Sequence, residues 1–108
     1  MSDVNPDVSV VLPVYNEIDH LDEELQRIRE AFDASDYVYE IIVVDDASTD
    51  GSSERLKEIP WVRLISFTSN RGPGAARKIG TEAARGSVVV WSDVDMSYPN
   101  DELPDLVD

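Results

Sequence analysis

The sequence predicts a single α/β domain in which a mainly parallel sheet lies between two layers of helices. Three observations carry that expectation. Short, nearly unbroken runs of Val, Ile and Leu suit strands covered on both faces. Between them lie segments with apolar residues at helical spacing, and the two kinds of segment alternate along the chain, as right-handed crossovers to a parallel sheet require. At 108 residues the chain has room for one core.

Val8 to Val14 is the first such run and the first strand. Ile18, Leu21, Leu25, Ile28 and Phe32 then recur at helical spacing, with Asp22, Glu23, Glu24, Arg27 and Glu30 between them, which predicts a surface helix with one buried stripe. Glu40 to Val44 predicts a second buried strand that runs straight into Asp45 and Asp46. Ala47 to Ser53 is turn chemistry, with Ser52 or Ser53 as cap for a short helix that stops before Pro60. Val62 to Phe67 follows as the third strand and Thr68 to Gly74 as a loop. Ala75 to Ala84 is the next helix, with Gly86 as its C-terminal stop. Ser87 to Trp91 is the fourth strand, and Asp101 to Val107 starts another helix beyond Pro99.

Composition narrows the function. Nine Lys and Arg against 23 Asp and Glu leave a net charge of −14, which speaks against nucleic acid and anionic lipid as electrostatic partners. There is no cysteine, so disulfides, thiolate metal sites and thiol nucleophiles are excluded. The start of the chain lacks the pattern of a secretory signal, and no apolar run approaches the ~20 residues of a membrane helix; a cytoplasmic location is the expectation. Fourteen of the acids are Asp and only Lys57 and Lys78 are lysines. That balance fits a high-salt cytoplasm, where self-repulsion is screened, as well as an ordinary acidic protein.

In a parallel α/β sheet, ligands bind beyond the carboxyl ends of the strands, and the unusual residues of this chain gather there. Asp93-Val94-Asp95 follows the fourth strand. Two carboxylates one residue apart can converge on a hard cation, magnesium or manganese with a diphosphate, or form a solvated turn. Asp45 and Asp46 are adjacent and mutually repulsive, so something should offset them. Asp46 can accept from a nucleotide while Asp45 bonds N–H groups of the Ala47 to Gly51 turn, or both can cap the turn. Pro13 marks where the sheet ladder ends; Tyr15 beyond it offers a flat face, for a base or for packing. Arg71 and Arg77 flank a Gly-rich turn into a helix, placed to meet a phosphate or to balance acidic charge. His20 lies on the polar side of the first helix and is read as inert. A phosphoacceptor receiver domain fits the length and the acidic pair, but fails for want of a lone Asp after the third strand and a Lys ending a later one.

Together, VSVVLPVYNE, EIIVVDDASTDGS, NRGPGAARKIGTEAARG and WSDVDMSYP resemble, in order and placement, the N-terminal half of a family 2 glycosyltransferase. The form Asp-Val-Asp-Met-Ser-Tyr-Pro is especially similar to the dolichyl-phosphate and polyprenyl-phosphate mannosyl- or glucosyltransferase branch. The resemblance implies a Rossmann-like three-layer GT-A fold. It places Pro13, Tyr15 and Glu17 around the nucleoside, and Val44 and Asp46 beside the base. Asp93 and Asp95 become the DxD pair on Mg2+ or Mn2+, with Val94 near the diphosphate and Ser97 in a further contact. Ala76-Arg77-Lys78 stands where the family often has Ala-Arg-Asn.

The resemblance implies a UDP- or GDP-linked sugar donor, an acceptor that is a lipid phosphate or a saccharide, and inverting displacement. The family's general base lies beyond residue 108, so residues 1–108 are expected to be the donor-binding half, a fragment without the acceptor half, its catalytic residues unknown. A nucleotide-binding module without catalysis is the alternative. The family's strand order of three, two, one, four leaves Val88 to Trp91 at an edge, which predicts self-association strengthened by salt.

Overall fold

Seven elements follow one another in the computed structural model, which describes residues 5–92. They are β1 (Val8–Val14), α1 (Ile18–Asp33), β2 (Tyr39–Asp45), α2 (Ser52–Lys57), β3 (Arg63–Ser66), α3 (Pro73–Ala83) and β4 (Val88–Trp91). All pairings are parallel and the strand order is β3-β2-β1-β4. The helix expected over Asp101 to Val107 lies outside the described residues.

Side-chain alternation divides the core into two layers. Val8, Val10, Leu12 and Val14 of β1 and Ile41 and Val43 of β2 pack against Leu21, Leu25, Ile28 and Phe32 of α1 and against Leu56 of α2. Val11, Ile42 and Val44 point the other way, onto Ala76 of α3. Both faces of the central strands are therefore buried, and this is why their sequences are continuously apolar rather than alternating. Gly80 brings α3 down onto the sheet: a Cβ there would stand 2.4 Å from Cγ1 of Val11.

Topology fixes where a ligand can enter. The chain moves from β1 to β2 to β3 in one direction with α1 and α2 on one face, then returns through α3 on the other face to place β4 beside β1. The order reverses between β1 and β4, and a crevice opens at the carboxyl ends of strands at such a reversal. Pro13 belongs to this geometry. The carbonyl of Val11 accepts from Ser92 on the β4 side, and that of Val14 accepts from Asp46 N–H on the β2 side. Pro13, in phase with Val11, turns its missing N–H toward β4 beyond the last β1–β4 pair, Val11 with Trp91, so no ladder bond is lost.

Two expected helix signals work differently here. The N-cap of α2 is Gly51, with no side-chain cap bond, and Ser52 is already the first helical residue; the Ser52 hydroxyl is engaged elsewhere. Gly86 is not the stop of α3, which ends in an extended Ala84. A Cβ at Gly86 would lie 2.6 Å from the backbone N of Ser9 and 2.7 Å from the carbonyl carbon of Val8. The position needs glycine for close approach to β1.

Candidate functional site

A cleft of about 470 Å³ opens at the carboxyl ends of β1 and β2, lined by Pro13, Val14, Tyr15, Glu17, Asp46, Asn70, Gly72, Pro73 and Arg77. Its wall combines a half-exposed aromatic ring, two carboxylates, an amide and a guanidinium, so it can stack a flat ring, accept from ring N–H or hydroxyl groups, and pair with an anion. Tyr15 is 48% exposed, which leaves its ring available to a ligand.

The acidic pair is resolved by strand geometry. Successive residues point to opposite faces, and the two carboxylates use separate donors. Asp45 is buried and accepts from Ser48 N–H at 3.1 Å and from the Ser53 hydroxyl, which holds the turn after β2. Asp46 accepts from Arg71 N–H at 2.6 Å and Gly72 N–H at 2.8 Å, one to each oxygen, and its own carbonyl takes Asn70 Nδ2 at 3.3 Å. The expected repulsion between the pair is thus offset by hydrogen bonds from the chain itself rather than by a ligand. Each carboxylate oxygen of Asp46 keeps a further acceptor site, and the residue lines the cleft.

Asp46 also changes the reading of the loop before α3. Two N–H groups there are already bonded to its carboxylate, and Pro73, the first helical residue, has none. Arg71 turns away and stacks its guanidinium 4.6 Å from the centroid of Phe67. Among the described residues, the cation that lines the cleft is Arg77.

Of the residues singled out, Pro13, Tyr15, Glu17, Asp46 and Arg77 are brought together. Val44 is not: it is fully buried beneath α3, beside Gly80, and does not line the cleft. Asp93, Val94, Asp95 and Ser97 lie outside the described residues. Asn70, Gly72 and Pro73 join the wall without having been assigned to it, and the turn signal of Asn70 to Gly74 was the clue to them. His20 does not line the cleft. Among the described residues no three His, Asp or Glu side chains converge as a metal site.

A residue beside the cleft, outside its wall, escapes sequence reading altogether. Asn16 adopts φ 53°, the left-handed region, and its side-chain oxygen accepts from Thr49 N–H at 2.7 Å. This bends the chain between Tyr15 and Glu17 and ties it to the turn after β2. Asn tolerates that conformation better than most residues, but nothing around Asn16 in the sequence announces it.

Comparison with known proteins agrees with this fold. The model of glycosyl transferase family 2 matches residues 9–108. An undecaprenyl-phosphate 4-deoxy-4-formamido-L-arabinose transferase of Edwardsiella ictaluri is 42% identical over 106 residues, which cover 94% of this chain and 33% of that protein. Among solved structures, S. aureus TarS 1–349 in complex with UDP-GlcNAc superimposes with a TM-score of 0.77 at 26% identity, over 94% of this chain and 30% of that one. The mannosyltransferase PcManGT from Pyrobaculum calidifontis, in complex with GDP-Man and Mn2+, gives a TM-score of 0.73 at 32% identity, over 93% and 30%. The chain spans about a third of the length of the curated relatives it matches. It belongs to glycosyl transferase family 2 and has the GT-A type of α/β fold.

Proposed function

We propose that this family 2 chain is the donor-binding part of an enzyme that transfers a sugar from a UDP- or GDP-linked donor to a polyprenyl phosphate. The observation that carries the proposal is the cleft at the carboxyl ends of β1 and β2, where Tyr15, Glu17, Asp46 and Arg77 meet. The nucleotide-sugar complexes of its structural neighbours and the undecaprenyl-phosphate relatives support donor and acceptor class respectively. Tyr15 stacks on the base, Asp46 and Glu17 accept from base or ribose, and Arg77 pairs with the diphosphate.

Asp93 and Asp95 are suited to Mg2+ or Mn2+, because they supply hard oxygen donors, and they follow β4 directly in the sequence. Held by Asp93 and Asp95, the cation would neutralise the diphosphate leaving group, and Val94 and Ser97 are the further donor contacts of this proposal. In the transfer itself an acceptor oxygen forms a bond to the anomeric carbon. The bond from that carbon to the nucleoside diphosphate breaks with inversion, and any acceptor proton passes to a base not assigned within residues 1–108. With a nucleotide-sugar donor and a lipid-phosphate acceptor, this proposal has the full protein work at the cytoplasmic face of a membrane.

Calorimetry with UDP and GDP in the presence of Mn2+ tests the reading. Binding of one nucleotide, weakened by Tyr15→Ala and Arg77→Ala, is the expected result; a folded protein that binds neither at millimolar concentration contradicts it. Incubation of the corresponding nucleotide sugar with polyprenyl phosphate separates a transferase from a module that binds without transfer.

A further inference from the structure

The loop that carries Tyr15 and Glu17 is held from outside the cleft. Asn16 N–H donates to the Ser48 hydroxyl at 3.0 Å, Glu17 N–H to the Ser52 hydroxyl at 3.2 Å, and Ile18 N–H to Oδ2 of Asp50 at 3.1 Å. The first turn of a helix leaves backbone N–H groups without intrahelical partners, and Glu17, the N-cap of α1, makes no side-chain cap bond. Capping comes instead from residues more than thirty positions later in the chain.

Asp50 is the centre of this arrangement. Its Oδ1 accepts from Ser52 N–H at 3.0 Å and from the Ser52 hydroxyl at 2.6 Å, while Oδ2 takes Ile18 N–H. One carboxylate therefore meets the first helical N–H of both α1 and α2, and it orients the Ser52 hydroxyl whose oxygen receives Glu17 N–H. A negative charge is favoured at the start of each helix. Burial pushes the Asp50 carboxyl up, but the bonds from Ser52 and Ile18 outweigh it and hold the group below the usual carboxylate range.

We infer that Asp50 is a positioning residue for the nucleotide cleft: through Ile18 and Ser52 it fixes the Tyr15–Glu17 loop in the conformation that lines the cleft. The inference rests on the donor-site reading above, and names a residue that does not itself line the cleft. Arg55 supplies the contrast. It also links the two helices, to Asp22 at 2.8 Å, but makes no bond to the loop.

Asp50→Ala should weaken binding of the preferred nucleotide, UDP or GDP with Mn2+, by about five- to tenfold, the size of a lost cap passed on to the ligand. Asp50→Asn, which keeps an acceptor oxygen, should recover much of that loss, and Arg55→Ala should stay within about twofold of the parent. In a Tyr15→Ala background, Asp50→Ala should have little further effect, because the two act through one loop. Amide hydrogen exchange without nucleotide gives an independent measure: Asn16, Glu17 and Ile18 should exchange about tenfold faster in Asp50→Ala while Val10 to Leu12 do not change. Full affinity in Asp50→Ala, an equal loss in the Tyr15→Ala background, or unchanged exchange at the loop each overturns the inference. Failure of the parent protein to bind either nucleotide contradicts the donor reading instead, and exchange still decides whether Asp50 holds the loop.

Discussion

An acid stands near each end of strand β2, Glu40 within it and Asp46 just beyond it, and the two have opposite surroundings. Glu40, near its start, accepts from the Ser9 hydroxyl at 2.5 Å, Arg63 Nη1 at 2.6 Å and Arg85 N–H at 2.7 Å. Asp46, just past its end, takes Arg71 and Gly72 N–H. Each acid thus ties down the chain at one end of α3. The difference is what else is present: Glu40 is closed off by a guanidinium and a hydroxyl, whereas Asp46 borders an open cleft with Arg77 in its wall. The same device closes the amino end of the sheet completely, and at the carboxyl end it leaves an acid on the wall of the cleft proposed to bind the donor.

The largest expected effect belongs to the closed end. Gly86→Ala forces a Cβ into the backbone of Val8 and Ser9 and should cost about 3 kcal/mol in urea unfolding, with nucleotide affinity of the folded protein unchanged. Asp46→Ala should cost about 2 kcal/mol, as two backbone donors lose a charged acceptor, and unlike Gly86→Ala it should also weaken UDP or GDP binding about tenfold or more. A variant at Asp46 that unfolds more easily yet binds normally would collapse the distinction between the two ends.

Glu40→Gln is the milder probe, expected to cost about 1 kcal/mol and to leave nucleotide binding within about twofold. Burial pushes the Glu40 carboxyl up, but bonds from Ser9, Arg85 N–H and Arg63 together outweigh it and hold the group below its ordinary 4.5. Its contribution is therefore complete above that ordinary value and is lost as pH falls through the lower, folded-state value. Acid unfolding curves of Glu40→Gln should lack this component. Smaller still is the effect at Tyr39, on the opposite face beside Glu40, where burial and then the hydrogen bond to Asp33 raise the phenol to about 12. That contribution is full below pH 10 and fades as pH climbs through about 12. An absorbance titration of Asp33→Ala should show Tyr39 ionising nearer its ordinary value.

Sequence reading reached the strands readily, because burial on both faces writes itself as unbroken Val and Ile in β1 and β2. It reached the carboxyl-end location of the cleft for the same reason: Pro13, Asp46 and the loop before α3 all interrupt apolar runs. It did not reach what depends on contacts distant in sequence. Nothing near Glu40 says that it meets Arg85, nothing near Gly86 says that Ser9 lies under it, and Asp50 reads as a turn residue until Ile18 is found against it. Val44, which family resemblance sets beside the base, packs its side chain under α3 and does not line the cleft, a placement that depends on Gly80 far along the chain.

The claim that recognition belongs to one end of β2 is tested most directly by amide chemical-shift mapping during titration with UDP or GDP and Mg2+. Shifts concentrated at Tyr15, Glu17, Asp46, Asn70 and Arg77, with Ser9, Glu40 and Arg85 unmoved, are the predicted result. Shifts centred on Glu40 and Arg85, or none with either nucleotide at millimolar concentration, would contradict it.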